Sequence, residues 1–578
     1  MGWLYQYFTP EQQRRDARDT KAGGSQAPRN AYELAFRNQF YTPDYVVRWL
    51  TDNTLGAVWR DSHPASAVSE ACPLLLPGAG GEAPSLQQAE DLRVLDPACG
   101  SGHFLLYAFD VLSAIYQEQG VAPEAAPDAI LKGNLFGVDI DWRACQIAGF
   151  ALSLKARKLR REGDLPTPHV VWAQPLPAEA DQRNAVLAGL SPTERKIAVK
   201  LWGAFEEAAE AGSLLRADED LDTAMQAVRQ EWQRTSGPQG VRLALPGLTH
   251  EVSFGDVRAH GYWDSVPENL RRALDAYWHR GDETGDAAEL RALFAADLSS
   301  GLDLLDVLRQ KYHVVLMNPP FGDATIGSRD YIAKHYPKTK HDLYTAFVER
   351  GLQWLEPGGA LGALGPRTAY FLKTSTAYRE EVVLTRQVAA FADLGINVLD
   401  TAKVEAAAIV VRGRAPDHNG LFFRSLKTRD KVAHLLDSTR ALRAGERAPL
   451  VFEADPASLR DIPGSPFAYW VGESLRRKFK ELPPLEGHAA EVRVGLQTSD
   501  DERFLRLWWE VPAAELGRGR RWVPFAKGGE YSPYWDDLRL VVDWGTDGAA
   551  IRASGNGRVQ NVAYYFRPGL TFPDRAKA

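Results

Sequence analysis

Three short stretches of this chain combine residue types that ordinary packing does not require together. The first is Asp96-Pro97-Ala98-Cys99-Gly100-Ser101-Gly102-His103-Phe104. Glycines at 100 and 102 permit a tight turn and let backbone approach a ligand without a Cβ in the way. A helix starting directly after them offers unpaired N–H groups and the positive end of its dipole. The third glycine of a GxGxxG loop is missing, because Leu105 holds that place, which weakens a dinucleotide reading. The second feature is Asp139. An acid at a strand end beside such a turn can accept hydrogen bonds from both hydroxyls of a ribose. The sequence weighs that role evenly against capping the helix that follows. The third is Asn318-Pro319-Pro320-Phe321. Two prolines remove backbone donors and stiffen the loop. What remains is a set of carbonyl oxygens, an Asn side chain and an aromatic face. An exocyclic amine on a planar ring needs acceptors for its two hydrogens and a surface to stack on. The plainer alternative is a rigid turn ahead of a helix.

These residues need elements to hold them. Leu92–Asp96 reads as a short strand and Phe104–Gln119 as a helix, with apolar residues at Leu105, Phe109, Leu112 and Tyr116. Leu135–Asp139 is the next strand and Trp142–Arg161 the next helix. After an interval come His313–Met317 (strand), Asp342–Leu355 (helix) and Ala360–Leu364 (strand), then Val388–Leu394 and Ala406–Val411 as closing strands. Strands separated by helices imply parallel βαβ units covered on both faces. Thr42-Pro43-Asp44 looks like a helix cap with proline in the first turn, and no proline interrupts the run from Asp44 to Arg60. Residues 62–90 read as a surface excursion. Residues 178–300 are rich in Ala, Glu and Arg and read as an inserted helical subdomain. From about residue 420 helical periodicity fades, and a β-rich second domain is expected there.

Composition narrows the class. The chain has 578 residues, 45% apolar and 25% charged, with no low-complexity bulk, so two to four packed domains are expected rather than disorder. The net charge of −7 shows no global basic excess, which counts only weakly against a local DNA-binding face. Cys72, Cys99 and Cys145 form no CxxC pair, so neither a zinc cage nor a disulfide framework is indicated, and no metal is expected. Neither a signal peptide nor a bilayer-length apolar run is present, so a soluble cytoplasmic protein is expected, without membrane partners.

Asp96–Phe104 together with Asn318–Phe321 resembles the two signature motifs of the γ-class amino-methyltransferases, enzymes that methylate adenine N6 in DNA. Phe40-Tyr41-Thr42-Pro43, upstream of both, resembles the segment that closes over the methionine end of the cofactor in that class. The order of the three segments is the γ order. Asn134–Asp141, the insertion, and His335-Tyr336-Pro337, Asp342-Leu343 and Ala346–Arg350 resemble PglX-type methyltransferases of BREX phage-defence systems, relatives of type IIG restriction-modification enzymes. Gly495–Thr498, Arg503–Arg506, Trp508 and Phe525–Gly529 resemble the start of that family's target-recognition region. The resemblance implies an α/β fold, a Rossmann-like S-adenosylmethionine-dependent methyltransferase sheet with a helical insertion and a C-terminal, partly β, target-recognition lobe. It divides the chain into an N-terminal segment 1–35, a catalytic domain 36–177 and 301–420, an insertion 178–300 and a recognition domain 421–578. Family members are roughly twice as long, so that last domain is expected to be incomplete.

The resemblance also implies roles. Asn318 and the Pro319 carbonyl would hold the adenine amine, in a catalytic loop completed by Pro320, and Phe321 would stack on the ring. Tyr41, Thr42, Pro43, Asp96, Pro97, Ala98, Gly100, Gly102, Phe104, Asp139 and Ile140 would hold S-adenosyl-L-methionine. The partner would be double-stranded DNA with the target adenine flipped out of the stack, besides other defence-system proteins. Two rival readings use the same residues. One is a methyltransferase for RNA or for a protein glutamine, whose enzymes are generally much shorter. The other is a cofactor- and DNA-binding defence component without turnover.

Other features weigh less. Lys155–Arg161 reads as a solvated helix end. Arg476–Lys480 and Arg518–Trp522 mix cations with aromatics, and phosphate contact there stands at even odds. Glu194-Arg195-Lys196 matches the ExK of a nuclease motif but lies in a helical stretch. No Gly-x4-Gly-Lys-Ser/Thr loop is present, which argues against a resident P-loop motor.

Overall fold

The computed structural model describes residues 27–38, 40–78, 83–177, 179–235, 266–278, 286–399, 404–527, 535 and 537–571. Two compact units divide the chain after Lys480. The aromatic stretch Trp3–Phe8, Gly528-Gly529 and the chain end lie outside the described residues.

The first unit is built on a nine-stranded sheet in the order β3-β2-β1-β4-β5-β7-β6-β8-β9. Its strands are β1 Val94–Asp96, β2 Leu135–Asp139, β3 His169–Trp172, β4 Tyr312–Met317, β5 Leu355–Pro366, β6 Gln387–Gly395, β7 Ala406–Arg412, β8 Gly420–Arg424 and β9 Val451–Ala454. Strands β3, β2, β1, β4 and β5 are parallel neighbours. β7 runs antiparallel between β5 and β6. This is the Rossmann-like half-order 3-2-1-4-5 with an antiparallel strand added beyond it. Alternate residues of each strand face opposite sides of a sheet. Val94, Val314 and Leu316 pack into one apolar cluster, and Leu95, Val315 and Met317 into the other. Both faces are buried, which is why these strands read as continuous apolar runs rather than alternating ones.

Strand order reverses at β1. From there the chain builds outward through β2 and β3 on one side, then through β4 and β5 on the other. Such a switch point leaves a crevice at the carboxyl ends of the strands. Helices His103–Glu118 and Trp142–Leu159 make the first two crossovers. The helix Asp44–Thr51 continues through a π-turn, Asp52–Gly56, into Ala57–Ser62.

The structure departs from the sequence reading at several points. Thr42 does not cap the helix that starts at Asp44; Pro43 holds the cap position and no side-chain bond is made there. Residues 62–90 are not a surface excursion throughout: Cys72, Leu74, Leu75 and Leu76 are buried in the core. Asp52 and Asn53 accept the Leu74 and Leu76 N–H groups, which fixes that segment. β3 is an additional strand, its four residues too few to give a period. Residues 421–454 do not start a separate domain, because β8 pairs in parallel with β6, and β9 antiparallel with β8. The insertion contains helices Ala180–Leu187, Pro192–Ala204, Ala217–Thr235, Val266–Trp278 and Asp286–Arg309. Glu194 and Ser191 form a reciprocal capping box at the start of the second of these, so the acid of the ExK string has a structural task. Among the described residues no helix is long and apolar enough to cross a membrane.

The second unit, taken by itself, holds a small antiparallel sheet in the order β10-β12-β11: Leu505–Leu507, Leu540–Asp543 and Trp522–Phe525. Its core is small and includes Phe504, Val523, Val542, Trp544 and Ile551. Trp508 and Trp509 are exposed. Arg521 is paired with Asp543 at 2.7 Å and stays exposed, while Arg476 of the first unit is buried.

Asn134, at the entrance of β2, ties the first crossover together. Its side chain is fully buried. Nδ2 donates to the carbonyls of Ala89 and Leu92 at 2.8 and 2.6 Å, and Oδ1 accepts the Tyr116 hydroxyl at 3.0 Å. Replacing it by Ala leaves the Leu92 carbonyl and the Tyr116 hydroxyl without this partner, while the Ala89 carbonyl keeps the Leu92 N–H. Asn134→Ala should therefore cost ~2–4 kcal/mol of stability, seen as a lower denaturant midpoint. An unchanged midpoint would show that the network carries no net stability.

Candidate active site

Strand geometry brings the three chemical stretches to one edge. Leu95 of β1 lies beside Phe136 of β2 and Val315 of β4 in parallel register. Each strand then ends within a few residues, and Asp96, Asp139 and Asn318 leave the sheet on the same side. One cavity there is lined by Tyr41, Thr42, Asp96, Pro97, Ala98, Gly100, Phe104, Asp139, Ile140, Asn318 and Pro320. Of the residues singled out in the sequence, Pro43, Gly102, Pro319 and Phe321 do not line it.

The first loop is held from both sides. The Cys99 N–H donates to the Val138 carbonyl at 3.0 Å, and the Gly100 N–H donates to Asp139 Oδ2 at 2.8 Å. Gly100 and Gly102 have φ of +51° and +84°, conformations that side chains disfavour. A Cβ on Gly102 would also approach that of Ala148 to 3.0 Å. Thus Gly102 serves the packing of two helices, while Gly100 faces the cavity. Asp139 Oδ1 accepts the Asp141 N–H at 2.8 Å, and Asp141, not Asp139, caps the next helix. Asp139 therefore does not cap that helix; its carboxylate holds the backbone of the glycine loop and lines the cavity.

Burial pushes the Asp139 carboxyl up to about 6 and that of Asp96 well above the usual range. Asp96 accepts the Ala98 N–H at 3.2 Å. Burial also holds the His103 imidazole down to about 4, so it is neutral at neutral pH. His103 lines the cavity with its ring edge-on to Tyr41, centroids 4.6 Å apart.

The second loop makes few bonds of its own and is pinned by its neighbours. Asn318 Nδ2 donates to Thr42 Oγ1 at 2.9 Å. In that orientation the amide oxygen is the end left to accept. The Phe321 N–H donates to Asn38 Oδ1 at 3.1 Å, and the Gly322 N–H to Asp342 Oδ1 at 3.0 Å. Phe321 stands edge-on to Tyr344, centroids 6.3 Å apart, half-buried at the margin of the core. Three groups of lining residues were not read from the sequence. Leu34, Ala35 and Asn38 belong to the helix Ala31–Arg37 and its end. Glu210, Ala211, Ser213 and Leu214 come from the insertion, and Ile332, Leu343 and Phe347 follow the second loop. Asn38 stands two positions before Phe40, and that nearness to the Phe40–Pro43 segment is its only sequence signal.

Chemically, the cavity has a carboxylate and a glycine loop on one side. Apolar wall comes from Ile140, Leu214 and Phe104, and an amide oxygen with aromatic and hydroxyl groups stands on the other side. Asp139 would have to be ionised to accept the two hydroxyls of a ribose. Folding raises its pKa from an unfolded value of ~3.9. Its contribution to stability is therefore full below about pH 4 and is lost as the pH rises through about 6. Ligand affinity runs the other way. Calorimetry with S-adenosylhomocysteine should show affinity falling roughly tenfold per pH unit below about 6. Asp139→Asn should bind weakly at every pH. A flat wild-type profile between pH 5 and 7.5 would contradict this.

Comparison with known proteins adds an independent view. The Eco57I restriction-modification methylase family model matches residues 133–397, a span that includes the insertion and the second loop. The adenine-specific methyltransferase BrxX of Escherichia coli O9:H4 (strain HS) is 27% identical, over 99% of this chain and 46% of its own length. The adenine-specific methyltransferase PglX of Lacticaseibacillus casei (strain Zhang) is 25% identical, again over 99% of this chain and 46% of its own. Among solved structures, a DrdV–DNA complex aligns with a TM-score of 0.43 at 12% identity, covering 87% of this chain and 38% of that one. A putative type I modification subunit from Vibrio vulnificus YJ016 gives 0.35 at 13%, covering 78% and 59%. The chain spans about half the length of the curated relatives it matches. Its similarity to PglX-type adenine-specific methyltransferases, first read from the motifs, extends over nearly all of its length.

Proposed function

We propose that this chain is the catalytic part of an S-adenosylmethionine-dependent methyltransferase acting on adenine N6 in double-stranded DNA, in phage defence or restriction-modification self-marking. The observation that carries the reading is a single cavity lined by Gly100 and Asp139 on one side and by Asn318 on the other, at the switch point of the sheet. S-adenosylmethionine, when bound, supplies a methyl group already activated on a sulfonium. The lining fits it: Asp139 would accept ribose hydroxyls, Ile140 and Leu214 would supply apolar wall for the nucleoside, and Tyr41, Thr42 and His103 would hold the methionine end.

The rest is positioning by the protein. An adenine amine is a poor nucleophile because its lone pair is delocalised into the ring. The Asn318 amide oxygen and the Pro319 carbonyl would accept its two hydrogens and favour a more tetrahedral nitrogen. Thr42 holds the Asn318 amide in the required sense. Phe321, half-buried beside Tyr344, would offer its exposed side to the base, which must leave the duplex to arrive there. The C-terminal unit takes the recognition role in this reading. The relatives named as adenine-specific support adenine over glutamine or RNA as the acceptor.

Labelled methyl transfer to plasmid DNA, tRNA and protein tests the reading. Label should enter DNA as N6-methyladenine. Asn318→Ala should reduce transfer ~100-fold or more while leaving S-adenosylhomocysteine binding nearly intact, because a lost transition-state acceptor costs ~3 kcal/mol. Transfer unaffected by Asn318→Ala would mean that another loop holds the acceptor. Label confined to tRNA or protein would reject the DNA assignment.

A further inference from the structure

The helical insertion reaches the cavity through one short segment. Ala208–Ala211 and the 3₁₀ turn Gly212–Leu214 lie between longer helices, and Glu210, Ala211, Ser213 and Leu214 face the cavity. Two side chains in it make ties three residues apart, one to each chemical loop. Ser213, almost fully buried, donates its hydroxyl to the Pro97 carbonyl at 2.7 Å. Glu210 Oε2 accepts the Thr325 hydroxyl at 2.6 Å, just beyond the Asn318–Phe321 loop. Its Oε1 accepts the Ala31 N–H at 3.3 Å, where the N-terminal helix begins.

Gly212 between them makes the approach possible. Its φ of +56° with ψ of −134° is a conformation reserved for glycine, and a Cβ there would lie 2.6 Å from Ile140 Cγ2. The segment is latched from its other side. The Tyr336 hydroxyl donates to the Leu214 carbonyl at 2.7 Å, and the Arg216 N–H to the Tyr331 hydroxyl at 2.8 Å. Arg350, buried, pairs with Asp218 at 2.6 Å. Tyr336 and Arg350 therefore press the insertion onto the catalytic sheet.

We propose that Ser213 is a positioning residue of the donor site, and that through it the insertion forms a working wall of that site rather than an appended subdomain. The inference rests on the methyl-donor reading above. Ser213 holds the backbone of the Pro97–Gly100 loop in the form that accepts the donor. Gly212 brings the wall against Ile140, and Glu210 sets the distance from this wall to the loop that presents the acceptor.

The test uses the full chain and S-adenosylhomocysteine as probe. Ser213→Ala should weaken binding by about 3- to 10-fold, the worth of one net hydrogen bond, with a melting temperature close to wild type. Ser213→Thr, which keeps the hydroxyl, should restore most of the affinity. Saturating S-adenosylhomocysteine should slow amide exchange across residues 208–216 in the wild-type chain, a readout that needs no variant. Wild-type affinity in Ser213→Ala, with exchange in 208–216 indifferent to the ligand, would overturn the proposal while leaving the donor reading standing. A wild-type chain that does not bind the probe would overturn both.

Discussion

The parallel pairing of β1 with β4 is the constraint on which the rest depends. β1 is the third strand of the nine, flanked by β2 and β4. In sequence, however, more than two hundred residues separate β1 from β4, including the whole insertion. Only the pairing of Val94 and Leu95 with Val314 and Val315 turns two remote loops into neighbours. Both strands are buried on both faces, so their register is fixed by packing into two apolar clusters at once. A shift of one residue would exchange the faces and carry Asn318 away from Asp96.

The second loop illustrates how rigidity is obtained without backbone bonds. Two prolines deny it donors, so it cannot hold itself as the glycine loop does. It is fixed instead by side chains from three distant places: Thr42 on Asn318, Asn38 on the Phe321 N–H, and Asp342 on the Gly322 N–H. Two of these, Asn38 and Thr42, come from the segment just ahead of the helix that starts at Asp44. That segment therefore helps to orient the second loop as well as to line the cavity. The division of labour is consistent, with carboxylates and amides serving as acceptors at both ends of a largely apolar chamber.

Much of this was legible in the sequence, and the limits have physical causes. β2 was read to the residue, because Leu135–Asp139 is a short apolar run bounded by turn residues. The first-loop and second-loop residues were legible because glycine and proline restrict the backbone in ways few other residues do. The resemblance to PglX-type methyltransferases supplied their joint meaning. What failed were inferences from composition. The stretch 62–90 is rich in Pro, Gly, Ala and Ser, yet Leu74-Leu75-Leu76 within it is core. Residues 421–454 lose helical period because two of their elements are strands of the main sheet. The Gly212-Ser213 pair interrupts an otherwise helical pattern, but nothing local says that the interruption points into a cavity 116 residues away in the chain. Side-chain ties across such separations are set by tertiary packing, which periodicity does not encode.

The central claim is that the cavity at the β1–β4 switch is built for S-adenosylmethionine. The most direct measurement is a side-by-side calorimetric titration of the chain with S-adenosylmethionine, ATP and NAD. The absence of a third glycine, the Asp139 carboxylate and the Ile140–Leu214 wall predict micromolar affinity for S-adenosylmethionine, roughly −8 kcal/mol, and far weaker binding of the two phosphate-bearing nucleotides. Tight binding of ATP or NAD with no binding of S-adenosylmethionine would contradict the account.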